Sequence, residues 1–315
     1  MPTQASVAVV VPTLNAGEPW RPWWQALRRQ TLQPDRVLVV DSESGDGTPD
    51  MAREHGAQLV TVPRTAFNHG GTRAHAATLV DEQILVFMTQ DAMLEDAGSL
   101  ARLVQAFELP ELGAAYGRQL ARAQAGPIER HNRLFSYPAQ SRLVTPAEAP
   151  RWGIRAPFLS DSYTAYRRSA LMRAGNFPDR AIVSEDMYVG ARMLQDGWSL
   201  AYVAEATAVH SHAYSIAGDV RRYFDIGAFY SEQAWLLRDF GGGGGEGLRF
   251  VRSEVAYLLR RAPWLIPEAL LRSACKLAGF HLGRRQQRLP HGLRLSLSGQ
   301  KYYWREPGSL PSQRL

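Results

Sequence analysis

Asp91 stands just beyond an uninterrupted apolar run, residues 84–88, with only Thr89 and Gln90 between. A carboxylate at such a point suits a divalent cation and, through it, a phosphate, because α/β folds bind ligands at the carboxyl ends of their strands. Farther along, Glu185 and Asp186 follow Ile182, Val183 and Ser184. A carboxylate there is ionised at neutral pH, as a general base drawing a proton from a hydroxyl must be. Asp186 is the preferred base of the two and Glu185 the alternative. His210 and His212 flank a single serine in a polar stretch, and one imidazole could complete a coordination shell begun by Asp91. Each group also has a plainer reading: a turn aspartate, acids drawn to a helix N-terminus, surface histidines.

Three further loops carry polar groups at strand ends. Asp41 closes one strand and leads into Ser42, Glu43, Ser44, Gly45, Asp46 and Gly47, a loop able to meet a base and a ribose. Gly70 and Gly71 open a helix where backbone can approach a phosphate closely, with Arg73 adding charge. Neither the Walker pattern nor the GxGxxG dinucleotide spacing occurs, which removes those two nucleotide-binding modes.

Holding these groups requires a scaffold, and its pattern is regular. Strands are expected over residues 6–11, 36–40, 58–62, 84–88, 113–117 and 198–203, with helices between most of them. Such alternation implies an α/β fold with a doubly wound, mostly parallel sheet. Residues 120–157 read as irregular, in the manner of a substrate loop. Asp161 precedes a short helix over residues 168–174, and Ser184 is expected to cap the helix that carries Glu185 and Asp186. Residues 223–240 look helical, and five glycines over residues 241–245 then form a hinge. Residues 248–282 have helical patterning, broken by Pro263 and Pro267.

The 315 residues are 45% hydrophobic and 21% charged, an ordinary globular balance. One cysteine, Cys275, excludes an internal disulfide framework and a cysteine-based zinc cluster. No signal peptide or spanning apolar run is visible, so the expected compartment is the cytoplasm. From residue 246 onward, 13 Lys and Arg face 4 Asp and Glu, although the whole chain is only +6. Two expectations for this basic extension stand side by side. It lies peripherally on an anionic membrane at the inner face of the plasma membrane, or it packs on its own core or a second subunit in a homo-oligomer. A nucleic-acid partner is not expected, because no aromatic-interleaved RNA motif or basic recognition helix accompanies the charge.

Taken together, VVVPTLN, VVDSESGDGT, FNHGGTR, FMTQDA, SEDMYVGAR and HSH resemble, in order and spacing, the family 2 glycosyltransferases of GT-A fold, over about the first 230 residues. FNHGGTR, TQDA and the stretch from His210 to Phe229 are similar to the bacterial rhamnosyltransferase branch. The resemblance implies an inverting enzyme that uses dTDP-L-rhamnose to extend a lipopolysaccharide or other surface glycan; a UDP-hexose or UDP-hexosamine donor is the alternative. It also implies a transferase domain over residues 1–240, with a nucleotide-sugar half (1–118) and an acceptor half (119–240). A linker (241–247) and a helical extension (248–315) follow. By the same resemblance, Pro12, Thr13 and Asn15 line the nucleotide pocket, Asp41 binds the pyrimidine, and Ser42, Ser44 and Asp46 lie near the ribose. Arg73 faces the diphosphate. Asp91 is the surviving acid of a DxD metal motif whose outer positions are Gln90, on the nucleotide side, and Ala92. Mg²⁺ or Mn²⁺ is the implied ion, with His210 as second ligand. Asp186 is the base, and Asp161 and His212 meet acceptor or sugar.

Overall fold

The computed structural model of the chain describes residues 5–243 and 245–304; Gly244 of the glycine run and residues 305–315 of the expected extension lie outside the described residues. Its first half contains β1 (Val7–Thr13), α1 (Arg21–Arg28), β2 (Arg36–Asp41), α2 (Thr48–Glu54), β3 (Gln58–Thr61), α3 (His69–Thr78), β4 (Ile84–Met88), β5 (Met93–Leu94), α4 (Ser99–Gln105) and β6 (Leu112–Leu120). The acceptor half adds α5 (Pro127–Ser136), β7 (Arg142–Val144), α6 (Ala149–Trp152), β8 (Tyr163–Arg167), α7 (Arg168–Arg173), α8 (Glu185–Gln195), β9 (Ser199–Val209), α9 (Ile216–Glu232) and α10 (Ala234–Phe240). Finally come α11 (Glu246–Arg261), α12 (Ile266–Arg284) and α13 (His291–Leu297).

The sheet order is β3-β2-β1-β4-β8-β6-β9-β5, with β7 also on β9. From β3 to β4 every pairing is parallel. Alternate residues of β1 feed two cores, Val7, Val9 and Val11 packing with Trp20, Trp23 and Trp24, and Ala8 and Val10 with Phe87 and Tyr166. A strand covered on both faces reads as continuous apolar sequence, which is why these strands were visible without a structure. In the acceptor half, β8 enters antiparallel to both β4 and β6, while β6 and β9 are parallel. The carboxyl ends of β1, β2, β4, β6 and β9 therefore share one edge with the amino end of β8.

Several local expectations change. Residues 120–157 are not structureless, since α5, β7 and α6 lie within them. Pro267 starts α12 rather than breaking it, because the first turn of a helix has no use for the missing N–H. Ser184 occupies the cap position of α8 but has left-handed backbone (φ 61°) and makes no side-chain capping bond. Its hydroxyl cannot reach the amides that a β-region cap would meet.

The C-terminal helices are fixed to the transferase half by close contact. A Cβ on Gly279 would stand 2.6 Å from the Val220 carbonyl oxygen, and one on Gly227 or Gly283 would collide with backbone of the facing helix. Thus α12 lies directly on α9. Beyond α13, Ser298 Oγ and Gly299 N donate to the Asp225 carboxylate at 2.5 and 2.9 Å, and Tyr303 and Trp304 are buried in the main core.

Candidate active site

Strand pairing assembles the site. Met93 of β5 pairs with Val209 of β9, which sets Asp91, two residues earlier, beside His210, one residue later. His210 Nε2 lies 3.5 Å from Asp91 Oδ1, His212 Nε2 lies 3.2 Å from Asp91 Oδ2, and the two Nε2 atoms are 3.0 Å apart. Burial works to raise the Asp91 pKa, but the two imidazoles outweigh it and hold the carboxyl well below the usual carboxylate range.

A residue that sequence reasoning passed over decides how His210 presents itself. Register places Gln119 of β6 opposite Ala208 of β9, and its Oε1 sits 3.0 Å from His210 Nδ1. That oxygen also accepts from the Arg133 guanidinium, while the Gln119 amide nitrogen donates to Ser160 Oγ. The Arg133 donor identifies the atom as the oxygen, so His210 Nδ1 is the donor to it, and in the neutral imidazole Nε2 is the nitrogen available to a cation. Two imidazole nitrogens and an ionised carboxylate, all within 4.8 Å of one another, form a donor set that fits a divalent cation.

The candidate base lies at the same edge. Met88 of β4 pairs with Tyr163 of β8, so the chain just past β4 runs alongside Asp161 and Ser162. The Asp161 backbone N–H donates to Asp186 Oδ2 at 2.9 Å, and Met187 N donates to Asp186 Oδ1 at 2.7 Å. Burial, then the nearby charges of Asp161 and Glu185, push the Asp186 carboxyl well above its usual range despite these two donors. Glu185 has a different environment. Its carboxylate is 2.7 Å from the Arg73 guanidinium and both side chains are buried. It is committed to an ion pair, whereas the two donors to Asp186 are backbone N–H groups.

Arg73 departs from its expected position facing a diphosphate. It is buried between Glu185, Asp161 (3.1 Å) and the His69 carbonyl (3.2 Å). The adjacent glycines also serve packing: a Cβ on Gly70 would collide with the Pro178 carbonyl, and the Gly71 N–H is capped by Asn68 Oδ1 at 2.6 Å. A second cation, Arg222, is exposed beside the histidine loop. The Arg222 guanidinium lies 5.7 Å from the Tyr214 ring centroid, Tyr214 packs on His212, and the charge of Asp161 reaches Arg222. Among the described residues, Arg222 has no ion-pair partner. It lay inside the stretch that resembled rhamnosyltransferases but carried no motif of its own.

The loops after β1 and β2 lock together. Asp41 is buried and accepts from Thr13 Oγ1 at 2.9 Å, Ser44 N at 2.8 Å and Ser44 Oγ at 2.6 Å. Asn15, at φ 48°, donates its N–H to Ser44 Oγ at 2.8 Å, and its Oδ1 accepts from Gly45 N at 3.0 Å. Asp46 holds Thr48, whose hydroxyl in turn accepts from Ala16 N and Gly17 N. Pro12 pairs with Val40 in the strand register, and Ser42 N donates to the Thr13 carbonyl. Gln90 clamps Leu14 reciprocally, its Oε1 accepting from Leu14 N at 2.8 Å and its Nε2 donating to the Leu14 carbonyl at 3.2 Å. A carboxylate at position 90 could make only the first of these bonds.

A half-parallel sheet with carboxylate and imidazole groups gathered at its carboxyl edge is the architecture of a GT-A glycosyltransferase. Residues 8–175 match the family described as Glycosyl transferase family 2. This chain belongs to that family and is a glycosyltransferase. It is 40% identical over 301 residues to the O-antigen chain rhamnosyltransferase WbaN of Salmonella anatum, covering 95% of this chain and 96% of the relative. It is 41% identical over 300 residues to the O-antigen chain rhamnosyltransferase RfbN of Salmonella typhimurium, with the same coverage. In three dimensions it is similar to the mannosyltransferase PcManGT of Pyrobaculum calidifontis, solved with GDP-Man and Mn²⁺ (TM-score 0.58, 23% identity, 96% of this chain and 84% of the other).

Proposed function

We propose that the protein moves L-rhamnose from dTDP-L-rhamnose to a hydroxyl of a lipopolysaccharide or other cell-surface glycan, with inversion at the anomeric carbon. The two Salmonella relatives, named O-antigen chain rhamnosyltransferases and matched over 95% of this chain, support the sugar and the acceptor class. The observation that carries the chemistry is that the Asp91, His210 and His212 cluster and a buried Asp186 lie at the same edge of the sheet. Asp186 takes the proton of the acceptor hydroxyl as that oxygen attacks the anomeric carbon. The bond from that carbon to the diphosphate breaks, and dTDP leaves with the electron pair. Asp91, His210 and His212 are the residues that would hold Mg²⁺ or Mn²⁺, and such an ion supplies positive charge for the diphosphate. With Arg73 committed to Glu185, Arg222 is the side chain assigned to share that charge.

In this reading the loops around Thr13, Asn15, Asp41 and Ser44 form the nucleoside pocket, organised by their mutual hydrogen bonds. Asp161, tied to both Arg73 and Asp186, borders the acceptor. The chain divides into a transferase domain (1–240) and, beyond a linker (241–247), a basic extension (248–315) that is helical over most of its described residues, and it works in the cytoplasm on a lipid-linked acceptor. None of the described helices is long and apolar enough to cross a membrane.

A thermal-shift panel of dTDP, UDP, GDP and CDP, each with and without Mn²⁺ or Mg²⁺, tests the assignment. Stabilisation by dTDP that grows with metal is expected. A preference for UDP would move the donor to a hexose or hexosamine, and no response to any nucleotide would contradict the site.

A further inference from the structure

Helix α12 has two unlike faces. One carries Gly279 and Gly283 and is pressed against α9 so closely that no side chain fits. The opposite face shows Leu270, Leu271, Ala274, Leu277 and Leu282 to solvent, at the spacing of successive helical turns, with His281 in the same stripe and no acidic residue among them. At the turn before the helix, Trp264 is 74% exposed, and Leu259 on α11 is 60% exposed. Of the thirteen large hydrophobics recorded as exposed among the described residues, seven fall between Leu248 and Leu282. A soluble surface does not gather apolar side chains in this way without a partner.

The charge around this face identifies the partner. Arg260 and Arg261 stand exposed at one end, and Arg284, Arg285 and Arg288 at the other. The acids of the two helices are occupied or buried: Glu246 pairs with Arg249, Glu268 pairs with Arg272, and Glu254 is buried. A second copy seated here would bring the same arginines and no free acid to meet them. An anionic lipid surface meets both demands, with acyl chains for the leucines, headgroup phosphates for the arginines and the interfacial zone for the tryptophan.

We infer that the outward face of α12, with Trp264 and its arginine rim, lies in the headgroup region of an anionic phospholipid bilayer. The catalytic edge is then held a short, fixed distance above it. On the inner side of the same helix, Arg272 donates to the Tyr214 carbonyl at 2.8 Å, two residues beyond His212. The metal-side loop is thus separated from the lipid by about one helix diameter, roughly 10 Å. This inference rests on the proposed reading, since a lipid-linked acceptor would present its reacting hydroxyl at that height.

The test is co-sedimentation of the full chain with phosphatidylcholine vesicles and with vesicles containing phosphatidylglycerol. Wild type and a Trp264→Ser, Leu271→Ser, Leu277→Ser variant are compared. Wild type should bind the anionic vesicles alone, less at high salt, and the variant should bind at least tenfold more weakly. Both should keep the same thermal shift with dTDP. Equal vesicle binding by the two proteins overturns the inference, as does a wild type that binds neither vesicle. A wild-type dimer in sedimentation that the substitutions convert to monomer would give the face to a second copy instead. Absence of a dTDP response in wild type would count against dTDP-L-rhamnose as the donor and leave the vesicle result standing.

Discussion

The Arg73 guanidinium lies 2.7 Å from the Glu185 carboxylate, and both side chains are almost wholly removed from solvent. Neighbouring acids therefore have different duties: Glu185 is neutralised by its partner, while Asp186 faces only backbone donors. Removing one member of a buried pair strands the other charge, at a cost of about 3–5 kcal/mol. Arg73→Ala should lower unfolding stability by that order in chemical denaturation. A loss below about 1 kcal/mol would mean that water reaches the pair.

Asp186→Asn keeps the size of the side chain and removes its basicity. Transfer should fall by about 10²–10⁴-fold, the usual contribution of a positioned base. Calorimetric binding of dTDP should persist. Transfer at near wild-type rate would assign the proton elsewhere.

The raised pKa of Asp186 gives the pH dependence its sign. The base works only when ionised, so kcat should fall as pH drops, with its acidic midpoint above the ordinary carboxylate range. For stability, a raised carboxyl contributes most when protonated, and that contribution is lost as pH rises through the folded-state value. A kcat profile flat down to the usual carboxylate pKa would be inconsistent with this environment.

Much of this site could be read from the chain before its fold was known. The strand that ends in Asp41 and the strand that precedes Asp91 contain apolar runs buried in the sheet, and such runs announce themselves. Tyr163–Arg167 is short and mixes aromatic, polar and charged residues, so β8 was invisible, and with it the antiparallel turn that places Asp161 beside the end of β4. The burial of Arg73 against Glu185 carries no local signal, because a basic residue next to two glycines looks the same in sequence whether it faces solvent or a buried acid. Gln119 gave no signal, because its importance lies in register with Ala208 rather than in any local pattern. The exposed leucines of α12 could not be told from core leucines until Gly279 and Gly283 fixed which face is inside.

Gln119 tests whether the imidazole is oriented for a cation. Replacing it with Met removes the acceptor for His210 Nδ1 without touching a ligand. Mn²⁺ affinity measured by titration of the folded protein should weaken by about 10–100-fold, as for other residues that hold a metal ligand in place. Unchanged affinity would show that His210 needs no such support.

Arg222→Gln addresses the diphosphate. Losing the charge should raise the Kd for dTDP by about tenfold or more, in line with the 1.5–3 kcal/mol of a charged hydrogen bond. Affinity for thymidine should be unchanged. Equal weakening for nucleoside and nucleotide would mean that Arg222 shapes the pocket instead of meeting phosphate.

The most direct measurement is transfer of label from radiolabelled dTDP-L-rhamnose into the glycolipid fraction of bacterial membranes. Wild type would be assayed with Mn²⁺, with excess chelator, and beside Asp186→Asn. We expect label in the lipid with wild type and metal, and almost none in the other two reactions. Label from UDP-hexose but none from dTDP-L-rhamnose, or full activity of Asp186→Asn, would contradict the assignment of donor and base.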